Sequence, residues 1–417
     1  MQREGIRGDL QAIARRTALS GVVAVAAATA LPAAAQRRRT APGGSVLAYV
    51  GGYTSASKPA GHGEGIALLR MDPRTGALTP VKVFPNASPS WLAFDPQRRF
   101  VYAVNEVDDF NGGKTGGVTG FGIDRATGEL TQINAVSSEG AGPAHCSVHP
   151  SGRFVFVANY GSGNVAVLPV QQNGGLGAAV DVQGDQGPSG AARPAEGPPG
   201  NFSISDHGNG PHAHMIAADP SGKFVIVNDL GLDRTFFWRL DEQSGKLTPN
   251  DPAFIPAASA GAGPRHFAFH PNGRVFYNLY EEASQLVVYD WNPQNAVVTL
   301  KQKTSTLPGY VGTSFASEIV VTPNGRFIYT ANRLRNTISI FAVAADGRVR
   351  WLGEEWTRGD YPRNIALDPS GRFMYACNHR SDNVTVFRVN PTRGSLAFAN
   401  LYVPVGSPAI ITFLQSG

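Results

Sequence analysis

At 417 residues the chain can bury a large core, and 42% apolar against 16% charged residues marks an ordered globular protein, which excludes disorder as its default state. Its 49 glycines and 30 prolines favour many short strands joined by tight turns over long helices. The formal charge of +5 falls to +3 once residues 1–35 are set aside, and Arg37, Arg38 and Arg39 account for the remainder, so the folded part lacks the basic field that nucleic-acid binding needs.

The first 35 residues resemble an address rather than structure. Arg3, Arg7, Arg15 and Arg16 form a basic start, and AAA at 33–35 offers a small-residue cleavage site. Between them, LSGVVAVAAATAL (19–31) is apolar but shorter than the ~20 residues a bilayer requires. Export to the periplasm or beyond is expected. The Arg15-Arg16 pair suits the twin-arginine route, although TALSG after it departs from that pattern. Residues 36–45 are then a basic flexible tail, and 46–417 a single domain with no further segment able to span a membrane.

Within that domain one unit recurs. DPQRRFVYAVN (95–105), HPSGRFVFVAN (149–159), DPSGKFVIVND (219–229), HPNGRVFYNLY (270–280), TPNGRFIYTAN (322–332) and DPSGRFMYACN (368–378) each open with a tight turn and continue as an alternating strand. Their prolines are separated by 54, 70, 51, 52 and 46 residues, close to the ~40–50 of a propeller blade. A short apolar strand precedes each copy and two more follow, so the unit is four antiparallel strands. VLAYVGGY, GIALLRMD and RTGALTPVKV near the start supply strands two to four without a first, and SPAIITFL (407–414) is a first strand without the others. Together they complete a seventh blade. The expected fold is therefore an all-β, seven-bladed propeller whose C-terminal strand closes the ring and protects its edges.

Because strands one and two are antiparallel, the start of the first and the end of the second meet on one face. The entrances to strand one offer Ser90-Trp91, His145, His212 with His214, Arg265-His266, Glu318 and Arg363-Asn364. The exits of strand two offer Asn105-Glu106, Asn159-Tyr160, Asn228-Asp229 with Asp233, Tyr280-Glu281, Asn332-Arg333 and Asn378-His379. Imidazoles can carry protons near neutral pH and guanidiniums grip anionic oxygens, so this mouth suits hydrolysis or proton transfer on an anionic or polyhydroxylated ligand. The asparagines are turn formers, and His149 and His270, on the opposite face, are structural. Cys146 and Cys377 fall in blades three and seven, too far apart to bond.

Two segments break the repeat. The Gly/Pro/Ser-rich stretch 183–210 joins blades three and four and should emerge at the same mouth, as a cover or an ordinary insertion. NGGKTGG (111–117) is a loose hairpin rather than a phosphate cradle, since no helix follows it.

GPHAHMIAADPSGKFVIVNDLGLDR (210–234), GPRHFAFHPNGR (263–274), ASEIVVTPNGRFIYTANR (316–333) and YPRNIALDPSGRF (361–373) resemble signature segments of the seven-bladed propeller lactonases, the group that contains bacterial 6-phosphogluconolactonase and fungal carboxy-muconate lactonizing enzyme. The resemblance implies a reaction on a lactone without metal or cofactor, with the match falling on His214, Asp229, Asp233, Arg265, His266, Glu318, Arg333 and Arg363. Hydrolysis needs a base for water and a positive group for the oxyanion. His214 or Glu318 is expected as base, with His266 and Asp229 in the catalytic set, and with His145, His212, Asp233, Arg265, Arg333 and Arg363 holding the substrate. The partner is a small lactone or anionic sugar derivative, and the chain is expected to act as a monomer. A non-catalytic propeller binding a sugar or protein, and a muconate cycloisomerase, are the competing readings.

Overall fold

A computed structural model describes residues 46–57, 60–184, 186–201 and 210–415. The expected export signal (1–35) and basic tail (36–45) lie outside the described residues. The described residues form seven antiparallel four-stranded sheets, six of them built from consecutive strands. The remaining sheet pairs Pro408–Gln415 with Val46–Gly52, then Gly65–Met71 and Leu78–Pro85, so the ring closes by the C-terminal strand as the two fragments predict. In each blade the second strand is buried on both faces: Phe154–Asn159, Phe224–Asp229, Val275–Tyr280, Phe327–Arg333 and Phe373–Asn378 have every residue buried. Apolar clusters lie between neighbouring sheets, as where Phe373 and Tyr375 of blade seven meet Val46, Leu69 and Phe413 of blade one.

Beyond apolar packing, the blades are joined by a repeated hydrogen bond that periodicity does not show. The strand-two tyrosine of one blade donates to the carbonyl of a left-handed glycine in the strand three–four turn of the next. The pairs are Tyr49 to Gly128, Tyr102 to Gly174, Tyr277 to Gly347, Tyr329 to Gly394 and, closing the ring, Tyr375 to Gly76, at 2.7–3.1 Å. His149 and His270, which replace the turn-capping aspartate, likewise reach the next blade through Nε2 to the carbonyls of Gly222 and Gly325. Tyr375→Phe would leave the Gly76 carbonyl buried without that donor. It should cost about 1–2 kcal/mol in urea unfolding with turnover unchanged; an unaltered midpoint would show that the bond adds nothing to closure.

Cys146 and Cys377 are both buried free thiols. The 111–117 stretch forms a short turn leading into the strand Gly117–Ile123. Described residues of the long insertion run over the mouth face of blades four to six. Gly190 and Ala195 donate to Gly231 and Ala260, the Asn201 amide donates to the Glu282 carbonyl, and the Pro199 carbonyl accepts from Gly312.

Candidate active site

The first strands of blades three to seven share an irregularity at their entrance. Register jumps from Pro143 to His145, Ala213 to Met215, Pro264 to His266, Ala316 to Ile319 and Pro362 to Asn364. Each is a bulge whose extra residues lack a ladder partner and are re-aimed. Those residues are Ala144, His214, Arg265, Ser317 with Glu318, and Arg363, and all but the Ser317–Glu318 pair line the channel. The second contribution comes from the end of strand two: Arg333, the last residue of its strand, and Tyr53, Glu106, Tyr160, Glu281 and His379, each directly after its strand, face the same space. With Tyr361 and Arg380 these groups enclose a cavity of about 410 Å³.

Charge in this cavity is organised around Glu281. Its Oε2 lies 2.7 Å from Arg265 Nε and 2.6 Å from Arg333 Nη2, forming a buried Arg–Glu–Arg array. Burial opposes the carboxylate charge, but Arg333, Arg265 and Arg363 outweigh it and hold Glu281 below its usual range. Burial pulls Arg265 down to about 10, leaving it cationic at neutral pH. Arg333 also bonds the Ala316 carbonyl (3.1 Å), and Arg363 stacks on Tyr53, whose hydroxyl donates to Glu106 at 2.9 Å. The lining thus holds more guanidiniums (Arg333, Arg363, Arg380) than carboxylates (Glu106, Glu281), and Arg265 beneath adds another, an excess that favours an anionic guest.

Under that cationic layer is a cage of rings. His266 packs against Trp91, His145 and His214 at centroid separations of 5.1, 5.7 and 5.0 Å. Its Nε2 faces Arg265 Nη1 at 3.3 Å and so accepts, which leaves its proton on Nδ1, 3.2 Å from Glu318 Oε1. Glu318 is further held by the Ile319 amide (2.9 Å) and the Asn364 side chain (2.7 Å). It is buried and lies below the cavity wall instead of in it, so it reaches a guest only through His266 and Arg265. His214, by contrast, lines the cavity, and its Nδ1 has no hydrogen-bond partner among the described residues. Burial first, and then Arg265, His266, Arg363 and Arg333, keep this imidazole well below its ordinary pKa and therefore neutral.

The other expected residues fall outside the wall. His145 is buried under Trp91. His212 stacks on Tyr160, bonds its carbonyl through Nδ1, and has its amide on Asp229. Asp229 also accepts from Leu232, so its Oδ1 caps the turn after strand two, while Asp233 accepts from the amides of Gly261 and Gly263. Both aspartates order the loops behind the mouth. In the other direction, Tyr53, Tyr361 and Arg380 join the cavity without being singled out by the repeat. The strand-two alignment could have found Tyr53, because Gly52 stands where blades two, three, six and seven carry asparagine; nothing periodic marks Tyr361 or Arg380. Among the described residues no group of three His, Cys, Asp or Glu side chains is placed to hold a metal.

Burial of these rings makes stability depend on pH. His145, His214 and His266 have folded pKa values below the ordinary 6.5, so the unfolded chain binds the extra protons and stability is lost as pH falls below about 6.5. Burial raises Glu318 to about 7, which acts oppositely: the folded state binds its proton, and that advantage disappears as pH rises through 7. His379, lowered to about 4 by burial, adds to the three, so four sites oppose one and urea stability should fall by about 3 kcal/mol per unit between pH 6.5 and 5. Glu318→Gln removes the opposing group and should steepen the fall; a flat profile in both proteins would contradict this.

The family model described as "Lactonase, 7-bladed beta-propeller" matches residues 47–413. The chain is 32% identical to a 6-phosphogluconolactonase of Bacillus subtilis over 324 residues, 77% of this chain and 84% of that one. Among solved structures it resembles the periplasmic gluconolactonase of Pseudomonas aeruginosa, with TM-score 0.80, 32% identity, and 89% of this chain covered against 100% of that one. A putative 6-phosphogluconolactonase of Bacteroides fragilis follows at TM-score 0.78 and 26% identity, covering 89% and 98%.

Proposed function

Because the chain belongs to the seven-bladed β-propeller lactonase family, we propose that it hydrolyses a sugar-derived lactone in the mouth cavity. The observation that carries this reading is the pairing of a neutral imidazole in the cavity wall with a fixed Arg–Glu–Arg array around the same space. His214 accepts a proton from water as its oxygen bonds to the lactone carbonyl carbon. Arg333, with Arg265 behind it, stabilises the resulting oxyanion, and collapse of the tetrahedral intermediate breaks the bond to the ring oxygen. Glu281 holds both guanidiniums in place. Glu318 and His266 position Arg265 from below, and Arg363 and Arg380 hold hydroxyls of the sugar ring and the carboxylate that forms as the ring opens.

Residues 1–35 favour export, and the periplasmic gluconolactonase neighbour is consistent with that address. A phosphorylated sugar lactone belongs to the cytosol, so an unphosphorylated aldonolactone is the preferred substrate. Initial rates of acid release from glucono-1,5-lactone and its 6-phosphate test this: release above the spontaneous rate, greater for the unphosphorylated lactone, is expected. No enzymatic release from either would overturn the proposal, and loss of diene absorbance from a muconate would identify a cycloisomerase instead. Among the lining carboxylates, Glu106 is bonded to Tyr53 and Glu281 to arginines, a donor set unsuited to a hard cation. Turnover should persist after exhaustive chelation; loss restored by calcium would show a metal requirement.

A further inference from the structure

Opening a lactone releases an alkoxide, and the base that activates water cannot also protonate that oxygen early in the same step. An acid beside the ring oxygen spares the imidazolium the task of delivering its proton there. Tyr361 lies in the cavity wall: it stands at the entrance to strand one of blade seven, just before Pro362–Leu367, and lines the same space as His214. Its backbone has φ 63, a conformation that costs a bulky residue of order 1–3 kcal/mol and persists only where neighbours enforce it. The Asn336 side chain enforces it, accepting from the Tyr361 amide at 2.8 Å and donating to Asp360 at 2.9 Å, while the Tyr361 carbonyl accepts from the His379 amide.

The phenol is set among cations. Arg380 lies 3.8 Å from its ring centroid and Arg333 5.3 Å, and Arg333 Nη1 faces the hydroxyl oxygen at 3.4 Å. That oxygen accepts from the guanidinium, so its own proton remains available to the cavity. We propose that Tyr361 is the general acid of this reaction, donating its hydroxyl proton to the departing ring oxygen of the lactone. The proposal rests on the hydrolytic reading above. Water gives one proton to His214 and its oxygen to the carbonyl carbon; the carbon–ring oxygen bond breaks, and that oxygen takes the phenolic proton. The imidazolium of His214 then returns a proton to the phenolate through cavity water, leaving the hydroxy acid to ionise. Arg333 lowers the phenol below its usual pKa, with Arg363 and Arg380 acting in the same sense, burial and Glu281 opposing, and His379 packed at 6.0 Å.

The test compares Tyr361→Phe with the wild type on two lactones whose leaving oxygens differ in basicity. Glucono-1,5-lactone departs as an alkoxide and needs a proton; dihydrocoumarin departs as a phenoxide and scarcely does. The variant should lose about 10²-fold in kcat on the first, less than threefold on the second, and the alkaline limb of its kcat–pH profile. Unchanged kcat on glucono-1,5-lactone, an equal loss on both lactones, or a retained alkaline limb would overturn the assignment. A wild type that opens neither lactone would instead overturn the hydrolytic reading itself.

Discussion

His214→Ala is expected to lower kcat for lactone opening by about 10²- to 10⁴-fold, the range for removing a positioned proton acceptor. The loss should be chemical rather than structural. His214 packs its ring against Tyr160 and His266, but its Nδ1 holds no partner among the described residues, so the substitution strips no hydrogen bond from that atom. Loss of the buried ring's packing should lower the melting temperature while leaving the protein folded at assay temperature, and the imidazole's resistance to protonation should disappear with it. Initial rates by acid release, beside a melting curve of the same preparation, check both halves; a wild-type rate would remove His214 from the chemistry.

Glu281→Gln should combine the largest stability loss with a large activity loss. The carboxylate separates two guanidiniums with side chains only 3% and 4% exposed, and without it they face each other in a poorly solvated space. Breaking a buried pair on one side costs about 3–5 kcal/mol, because an uncompensated charge remains. Adding Arg333→Met to Glu281→Gln removes one of the stranded charges and should recover part of that stability. Turnover should not recover, since the oxyanion then lacks its cation. Urea unfolding and kcat measured on the single and double variants separate these effects; equal stability of the wild type and Glu281→Gln would contradict the electrostatic description.

Much of the fold was legible because propeller blades repeat one turn and one alternating strand, and because the end fragments are complementary. The inter-blade tyrosines were not, since a buried Tyr and a buried Phe occupy the same alternation and only the next blade's turn shows what Tyr375 touches. The mouth itself was legible from strand direction, which places His214, Arg333 and Arg363 correctly at one end. Depth along the channel was not. A bulge is one extra residue in a strand, invisible to period-two alternation, yet it decides that His214 meets the cavity while Glu318, two blades away at the same kind of entrance, is turned into the packing beneath. Asp229 and Asp233 show the converse: acidic residues next to a site whose lone pairs are taken by backbone amides.

The most direct test of the central claim is a crystal structure of the protein soaked with the unreactive analogue glucono-1,5-lactam. The lactam should occupy the mouth cavity with its carbonyl oxygen within hydrogen-bond reach of Arg333, its carbonyl carbon facing His214, and its ring nitrogen, which replaces the leaving oxygen, on the Tyr361 side. Ordered lactam bound elsewhere with that cavity empty, as in the groove between His62–Gly65 and Pro404–Gly406, would contradict it.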